Sequence, residues 1–212
     1  MADYERMKQT ILTGKVDEIS GLVKKALEQG TNPQDIVGHG LIAGMNEVGV
    51  LFKSGEMYIP EVLVSAKTMH KGMELLRPLL SKAEAKTMGT VVLGTVKGDL
   101  HDIGKNLVGM MFEGAGFEVI DIGVDQPPEK FVEAARKKEA QVIALSALLT
   151  TTMGEMPKVI SALKEAGLRE RVKIMVGGAP LNEKFAATIG ADGYAPDAGS
   201  AVDKLRQLVQ GN

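Results

Sequence analysis

The side chains most capable of chemistry are concentrated in one short stretch. From Thr95 to Asn106 the chain reads TVKGDLHDIGKN, which places Asp99, His101, Asp102 and Gly104 on what reads as a single turn. An imidazole two residues from a carboxylate can serve as a general base or as a metal ligand, with the carboxylate deciding which ring nitrogen keeps its proton. A histidine on a turn is in most proteins a satisfied loop residue. Its company argues for more here: an apolar run, TVVLGTV, leads in, and a helix-like run, NLVGMMFEGAG, leads out.

Several chemistries fit badly. The stretch matches neither G-x-x-x-x-G-K-[ST] nor G-x-G-x-x-G, and Asp99 and Asp102 would repel a phosphate. A phosphorylation receiver needs an acceptor carboxylate at the end of its third strand, where this chain has Ser146. A Ser–His–Asp hydrolytic set is geometrically open, but Ser146 is not on a G-x-S-x-G elbow. The remaining reading makes His101 the one protein ligand of a metal that arrives inside a large cofactor. Asp99 then accepts the other imidazole N–H. Gly104 permits close approach of the turn, Gly177 and Gly178 leave room for a buried group, and Ser146 offers it a hydrogen bond.

Composition narrows the field in the same direction. The 212 residues contain no cysteine, so thiolate metal sites, iron–sulfur clusters, disulfides and a cysteine nucleophile are excluded together. The three histidines, His39, His70 and His101, include no i, i+4 pair that could bind a metal from one helix face. A net charge of −2, an aromatic content of 4% and the absence of Trp give no basis for nucleic-acid binding. No apolar run approaches the roughly 20 residues of a membrane span, and MADYERMKQT lacks a signal-peptide core, so a cytoplasmic protein is expected.

Two kinds of element must position these residues. To about residue 81 the periodicity is helical. A short segment spans Tyr4 to Leu12, and a stripe of Val16, Ile19, Leu22, Val23, Ala26 and Leu27 closes at Gly30. Thr31 and Asn32 ahead of Pro33 open a third helix carrying Val37, Leu41, Met45, Val48 and Phe52. A fourth carries Val62, Ala66, Met69, Met73 and Leu76 before Pro78. These predict a bundle of about four helices. The polar stretch Ser81 to Gly89 reads as a linker, giving a helical domain over 1–85 and a second domain over 86–212. Beyond it, β-branched runs alternate with amphipathic segments: Val91 to Val96, Phe117 to Gly123, Gln141 to Ala147, Val172 to Gly178 and Asp192 to Ala195. This pattern predicts an α/β fold, flavodoxin-like or Rossmann-like, with a five-stranded parallel sheet covered by helices on both faces. Ligands of such sheets bind at the carboxyl ends of the strands, where Asp99, His101, Ser146, Gly177 and Gly178 fall.

At these residues the sequence resembles the cobalamin-binding domain of the methionine-synthase type. The family motif D-x-H-x-x-G, then S-x-L, then G-G stands here as Asp99-x-His101-x-x-Gly104, Ser146-x-Leu148 and Gly177-Gly178. Upstream, Val48 to Pro78, with FKSGEMYIP, is similar to that enzyme's helical cap. The two-module length resembles the stand-alone corrinoid proteins that carry methyl groups from methanol, methylamines or aryl methyl ethers.

The resemblance implies cobalamin, as methylcobalamin, cob(I)alamin or a related corrinoid, bound with its own base displaced and His101 as lower ligand to cobalt. It implies a ligand relay of Asp99, His101 and Thr152, with threonine where the family has serine. Cofactor contacts would come from Gly98, Asp102, Ile103 and Gly104 on the turn, from Ser146, Leu148 and Thr150, and from Gly177 and Gly178. Tyr194, Asp197 and Ala198 would lie at the periphery, although an aspartate at 197 could equally cap the last helix. Tyr58 would cover the upper face, with Val62 and Met69 either beside it or in the bundle core. The methyl group would shuttle between a substrate-specific methyltransferase and an acceptor methyltransferase, with room for a reductive activase. The chain is thus expected to be a carrier subunit, whose cap would swing aside at the linker. The rivals are the cobalamin subunit of an adenosylcobalamin mutase and a cobalamin-dependent regulator, although the chain shows no basic DNA-binding helix.

Overall fold

The computed structural model describes residues 2–80 and 87–211. Residues 81–86 of the expected linker, with any hinge there, lie outside the described residues. The chain divides into two compact units, residues 1–87 and most of 88–212.

The first unit is helical: α1 (Tyr4–Leu12), α2 (Val16–Glu28), α3 (Pro33–Asp35), α4 (Ala43–Ser54) and α5 (Ile59–Leu76). Asn32 caps α3 through its side chain, which accepts the Gln34 N–H at 2.8 Å, and Pro33 takes the first helical position. The expected third helix is not uniform. Ile36–Ile42 is a π-helix joining α3 to α4. Its Gly40, with Gly44 in the next turn, lies against α1: a Cβ on Gly40 would come within 2.9 Å of the Met7 sulfur, and one on Gly44 within 3.2 Å of the Lys8 Cα. The core holds Met7, Ile11, Ile19, Val23, Leu41, Val48, Val62, Ala66 and Leu76, all buried.

The second unit alternates β1 (Thr90–Thr95), α6 (Ile103–Gly114), β2 (Glu118–Asp121), α7 (Pro128–Lys138), β3 (Val142–Ser146), α8 (Glu155–Glu165), β4 (Lys173–Gly177), α9 (Glu183–Ile189), β5 (Gly193–Ala195) and α10 (Ala198–Gln210). The strands form one parallel sheet in the order β2-β1-β3-β4-β5, as the alternating pattern predicts. β1 alternates between the two faces. Val92 and Val96 join Phe131 of α7 and Met156, Val159 and Leu163 of α8 in one core layer. Gly94 is required there, because a Cβ would come within 2.9 Å of the Phe131 ring. Leu93 faces α6, where Gly109 admits it. Thr95 has the same parity as Leu93, so its side chain points to the side on which the chain enters α6. The strand order reverses between β1 and β3, and in open α/β sheets a crevice forms at such a switch point.

Candidate functional site

β1 and β3 lie in register, with Thr95 opposite Ser146. The loops that leave them therefore start side by side, and Asp99 joins them. Its side chain is fully buried and accepts five hydrogen bonds. Oδ1 takes the backbone N–H of His101 at 3.1 Å and the His101 ring Nδ1–H at 2.7 Å. Oδ2 takes the N–H of Leu148 at 2.7 Å, the N–H of Leu149 at 3.2 Å and the hydroxyl of Thr152 at 2.8 Å. The Thr152 hydroxyl is also 2.9 Å from the Leu149 carbonyl; it has one proton, and the carboxylate is the stronger acceptor.

Burial by itself would raise the pKa of Asp99. The donors outweigh it: the Leu148 and His101 N–H groups, the His101 ring and the Thr152 hydroxyl together hold the carboxyl far below the ordinary carboxylate range. Asp99 is therefore ionised, and an ionised carboxylate 2.7 Å from Nδ1 requires the proton to sit on Nδ1. Nε2 is then the ring nitrogen left for a ligand. Half of the His101 side-chain surface is exposed, and among the described residues Nε2 has no partner. Leu100, Leu148 and Leu149, on the two loops that meet at Asp99, and Ile103, the first residue of α6, are all exposed, Ile103 to 75%. A histidine on an exposed apolar rim suits a large, partly apolar ligand.

The backbone of the turn is held separately. The fully buried Thr95 donates its hydroxyl to the His101 carbonyl at 3.0 Å. Asp102 starts α6: its carbonyl accepts the Asn106 N–H at 2.7 Å and its carboxylate the Asn106 amide at 3.1 Å. Lys105 is buried and pairs with Asp121 at the end of β2, while donating to Asn106 Oδ1 at 2.7 Å. Gly98 is left-handed at φ +80°. Neither Thr95 nor the Lys105–Asp121 pair stands out as functional in the sequence. Thr95 reads as an ordinary strand residue; its signal is a hydroxyl at the last position of an otherwise apolar strand.

The remaining expected residues fall in three groups. Gly104 faces open space, and Gly177 has only the Ala195 carbonyl at 3.5 Å. The Ser146 hydroxyl has no partner among the described residues, and Thr150, on the loop that follows β3, is exposed. These form one rim with His101 and Leu148. Gly178 has a different reason from the one expected: at φ +140° its Cβ would sit 1.8 Å from the Ala147 carbonyl, so the end of β3 demands glycine whatever binds. Tyr194, Asp197 and Ala198 belong to β5 and α10 at the sheet edge, three strands from β1, or about 14 Å at the usual spacing. Tyr194 packs on the sheet core, Ala198 is buried, and Asp197 caps α10 by accepting the Ser200 N–H at 2.7 Å. The structure does not gather these three to Asp99. In the helical unit Val62 and Met69 are buried, whereas Tyr58, the residue before α5, is 68% exposed.

Comparison with known proteins identifies the ligand class. Models of the B12 binding domain match residues 89–203 and, for a second B12 binding domain, residues 4–77. Dimethylamine corrinoid protein 1 of Methanosarcina acetivorans is 47% identical over 97% of this chain and 96% of its own length. Among solved structures, the methanol:cobalamin methyltransferase complex of Methanosarcina barkeri includes a chain 32% identical, with a TM-score of 0.88 over 97% of this chain and 79% of that one. A cobalamin-binding protein from Desulfitobacterium hafniense DCB-2 is 31% identical, with a TM-score of 0.81 over 98% and 99%.

The residues fit such a group. Among the described residues no cluster of three or more His, Asp or Glu could hold a metal ion, so a metal ligated by Nε2 must bring its other ligands, as a corrinoid does. The open face of Gly104 and the apolar rim leave space for a macrocycle. Site, fold and relatives agree: the chain belongs to the B12-binding family, as one of the two-domain corrinoid proteins of methyltransferase systems.

Proposed function

We propose that this corrinoid protein carries a methyl group on a corrinoid held through His101, receiving it from a methyltransferase specific for a methylated amine and giving it to an acceptor methyltransferase. One observation carries the residue assignment: a buried, ionised Asp99 fixes the His101 tautomer that leaves Nε2 free. When bound, the corrinoid supplies a cobalt centre that accepts and releases the methyl group.

The chain supplies the rest. His101 would offer Nε2 as the protein ligand. Asp99 accepts Nδ1–H, which keeps the ring orientation and would tune Nε2 as a ligand. Its charge would also favour the protonated ring whenever Nε2 holds no ligand. Thr152 and the Leu148 and Leu149 N–H groups keep that carboxylate charged throughout. Gly104, Ser146 and Gly177 would border the macrocycle and its nucleotide tail.

The amine assignment follows the relatives. Dimethylamine and trimethylamine corrinoid proteins are 45–47% identical to this chain, against 32% for the chain in the methanol complex. The partner class is drawn from that methanol:cobalamin methyltransferase complex.

The test is reconstitution with hydroxocobalamin, reductive activation, and incubation with radiolabelled dimethylamine, trimethylamine or methanol and the matching methyltransferase. Label retained by the protein only with an amine system, and lost from His101→Ala, is the expected result. Label taken up from methanol alone would overturn the donor assignment. Failure to retain cobalamin would overturn the site.

A further inference from the structure

We propose that Asp125 is a positioning residue for His101, fixing from the neighbouring loop the turn that carries Asp99 and His101. The proposal rests on His101 being the protein ligand. Asp125 lies between β2 and α7, on the loop that runs alongside the β1–α6 turn: the Thr95 N–H donates to the Gly123 carbonyl at 2.9 Å, and the Gln126 N–H to the Thr95 carbonyl at 3.0 Å.

The conformation of Asp125 is the first clue. Its φ is +54°. Left-handed backbone costs a residue with a Cβ about 1–2 kcal/mol, less for Asp and Asn, and is free for glycine. The same loop uses glycine for its other left-handed residue, Gly123, at φ +91°. At 125 the chain keeps a side chain where glycine would relieve the backbone.

That side chain has a use. Its Oδ1 accepts the Gly98 N–H at 2.7 Å, while the Asp125 N–H donates to the Asp99 carbonyl at 3.0 Å. Asp125 therefore grips the Gly98–Asp99 dipeptide at both ends. Gly98, left-handed and without a side chain, has little intrinsic preference for this shape. Asp99 orients the ring and Thr95 holds the His101 carbonyl. Among the described residues, the Asp125 carboxylate is the side chain that hydrogen-bonds the Gly98 N–H, and it sets where Asp99 begins.

Two variants separate the carboxylate from the backbone. Asp125→Asn keeps an acceptor and tolerates the left-handed conformation. Asp125→Gly keeps the conformation without strain and removes the acceptor, so neither is expected to obstruct folding. The first readout is amide hydrogen exchange at Gly98 in the cofactor-free protein. The second is the fraction of hydroxocobalamin-loaded, reduced protein whose electron paramagnetic resonance shows nitrogen coupling from labelled histidine. A merely structural residue would shift the unfolding midpoint and leave this second readout alone. The expected result is wild-type behaviour for Asp125→Asn. For Asp125→Gly, the Gly98 amide should exchange about tenfold faster and the histidine-coupled fraction should fall. Wild-type values for Asp125→Gly overturn the proposal, as does an Asp125→Asn variant as impaired as the glycine. If wild type itself lacks histidine coupling, the ligand role of His101 fails; the exchange arm then still decides whether Asp125 holds the turn.

Discussion

Asp99 and Asp197 each follow a strand of the same sheet, and each accepts backbone N–H groups, but they act over different ranges. Asp197 is exposed and takes the N–H and hydroxyl of Ser200, three residues on. Everything it does falls within one helical turn. Asp99 is buried and draws three of its five donors from Leu148, Leu149 and Thr152 on another strand's loop. A cap can be lost with little more than a frayed helix end. A buried carboxylate with five converging donors cannot be lost without leaving those donors unpaired in the interior. An acidic residue at a strand end is thus no functional signal in itself; the convergence of distant donors on it is.

The contrast can be broken most directly at Asp99. Asp99→Ala should destabilise the sheet unit by about 3–5 kcal/mol, the usual cost of breaking a buried charged network, read from urea unfolding of the cofactor-free protein. A loss equal to that of an Asp197 variant would erase the distinction. Acid sharpens it. The folded pKa of Asp99 is depressed, so its contribution is fully present above the unfolded-state value of about 3.9 and is lost as pH falls toward the folded value. The stability gap between wild type and Asp99→Asn should therefore narrow as pH falls below about 4. A gap that does not narrow there would mean Asp99 is not held ionised. Thr152→Val removes one of the five donors and should cost about 1–2 kcal/mol, whereas Thr152→Ser should stay near wild type. Asp197→Ala should cost about 1 kcal/mol, the value of a helix cap, with cobalamin retention unchanged; loss of retention would return Asp197 to the site.

The same contrast explains what can be read from the sequence. The five strands are legible because runs such as VVLGTV and QVIALSA are almost wholly apolar and largely buried on both faces, with Thr95 a buried polar exception. The π-helix is not legible, since Val37, Leu41, Met45 and Val48 fit one uninterrupted helix and the change of pitch is set by Gly40 and Gly44 against α1. Asp99 and His101 show in sequence because they are two residues apart. Thr95 does not, because a threonine ending a strand looks like any other β-branched residue. Asp125 does not, because its partner Gly98 lies 27 residues earlier and only strand order brings the loops together. Gly178 is visible as half of a glycine pair, but its reason, the Ala147 carbonyl, is purely three-dimensional. Asp197 fits a cap in sequence, and its bonds to Ser200 make that cap.

The central claim is that His101 is the protein ligand to the corrinoid metal, held for it by Asp99. The most direct measurement is the electron paramagnetic resonance of the protein loaded with hydroxocobalamin, reduced to Co(II), with nitrogen-15 in its histidines, for wild type and His101→Ala. Splitting from a single nitrogen that changes with the histidine label in wild type and is absent from His101→Ala is the expected result. Splitting that ignores the label, arising from the cofactor's own base, would contradict the claim and leave Asp99 holding a histidine with no metal to bind.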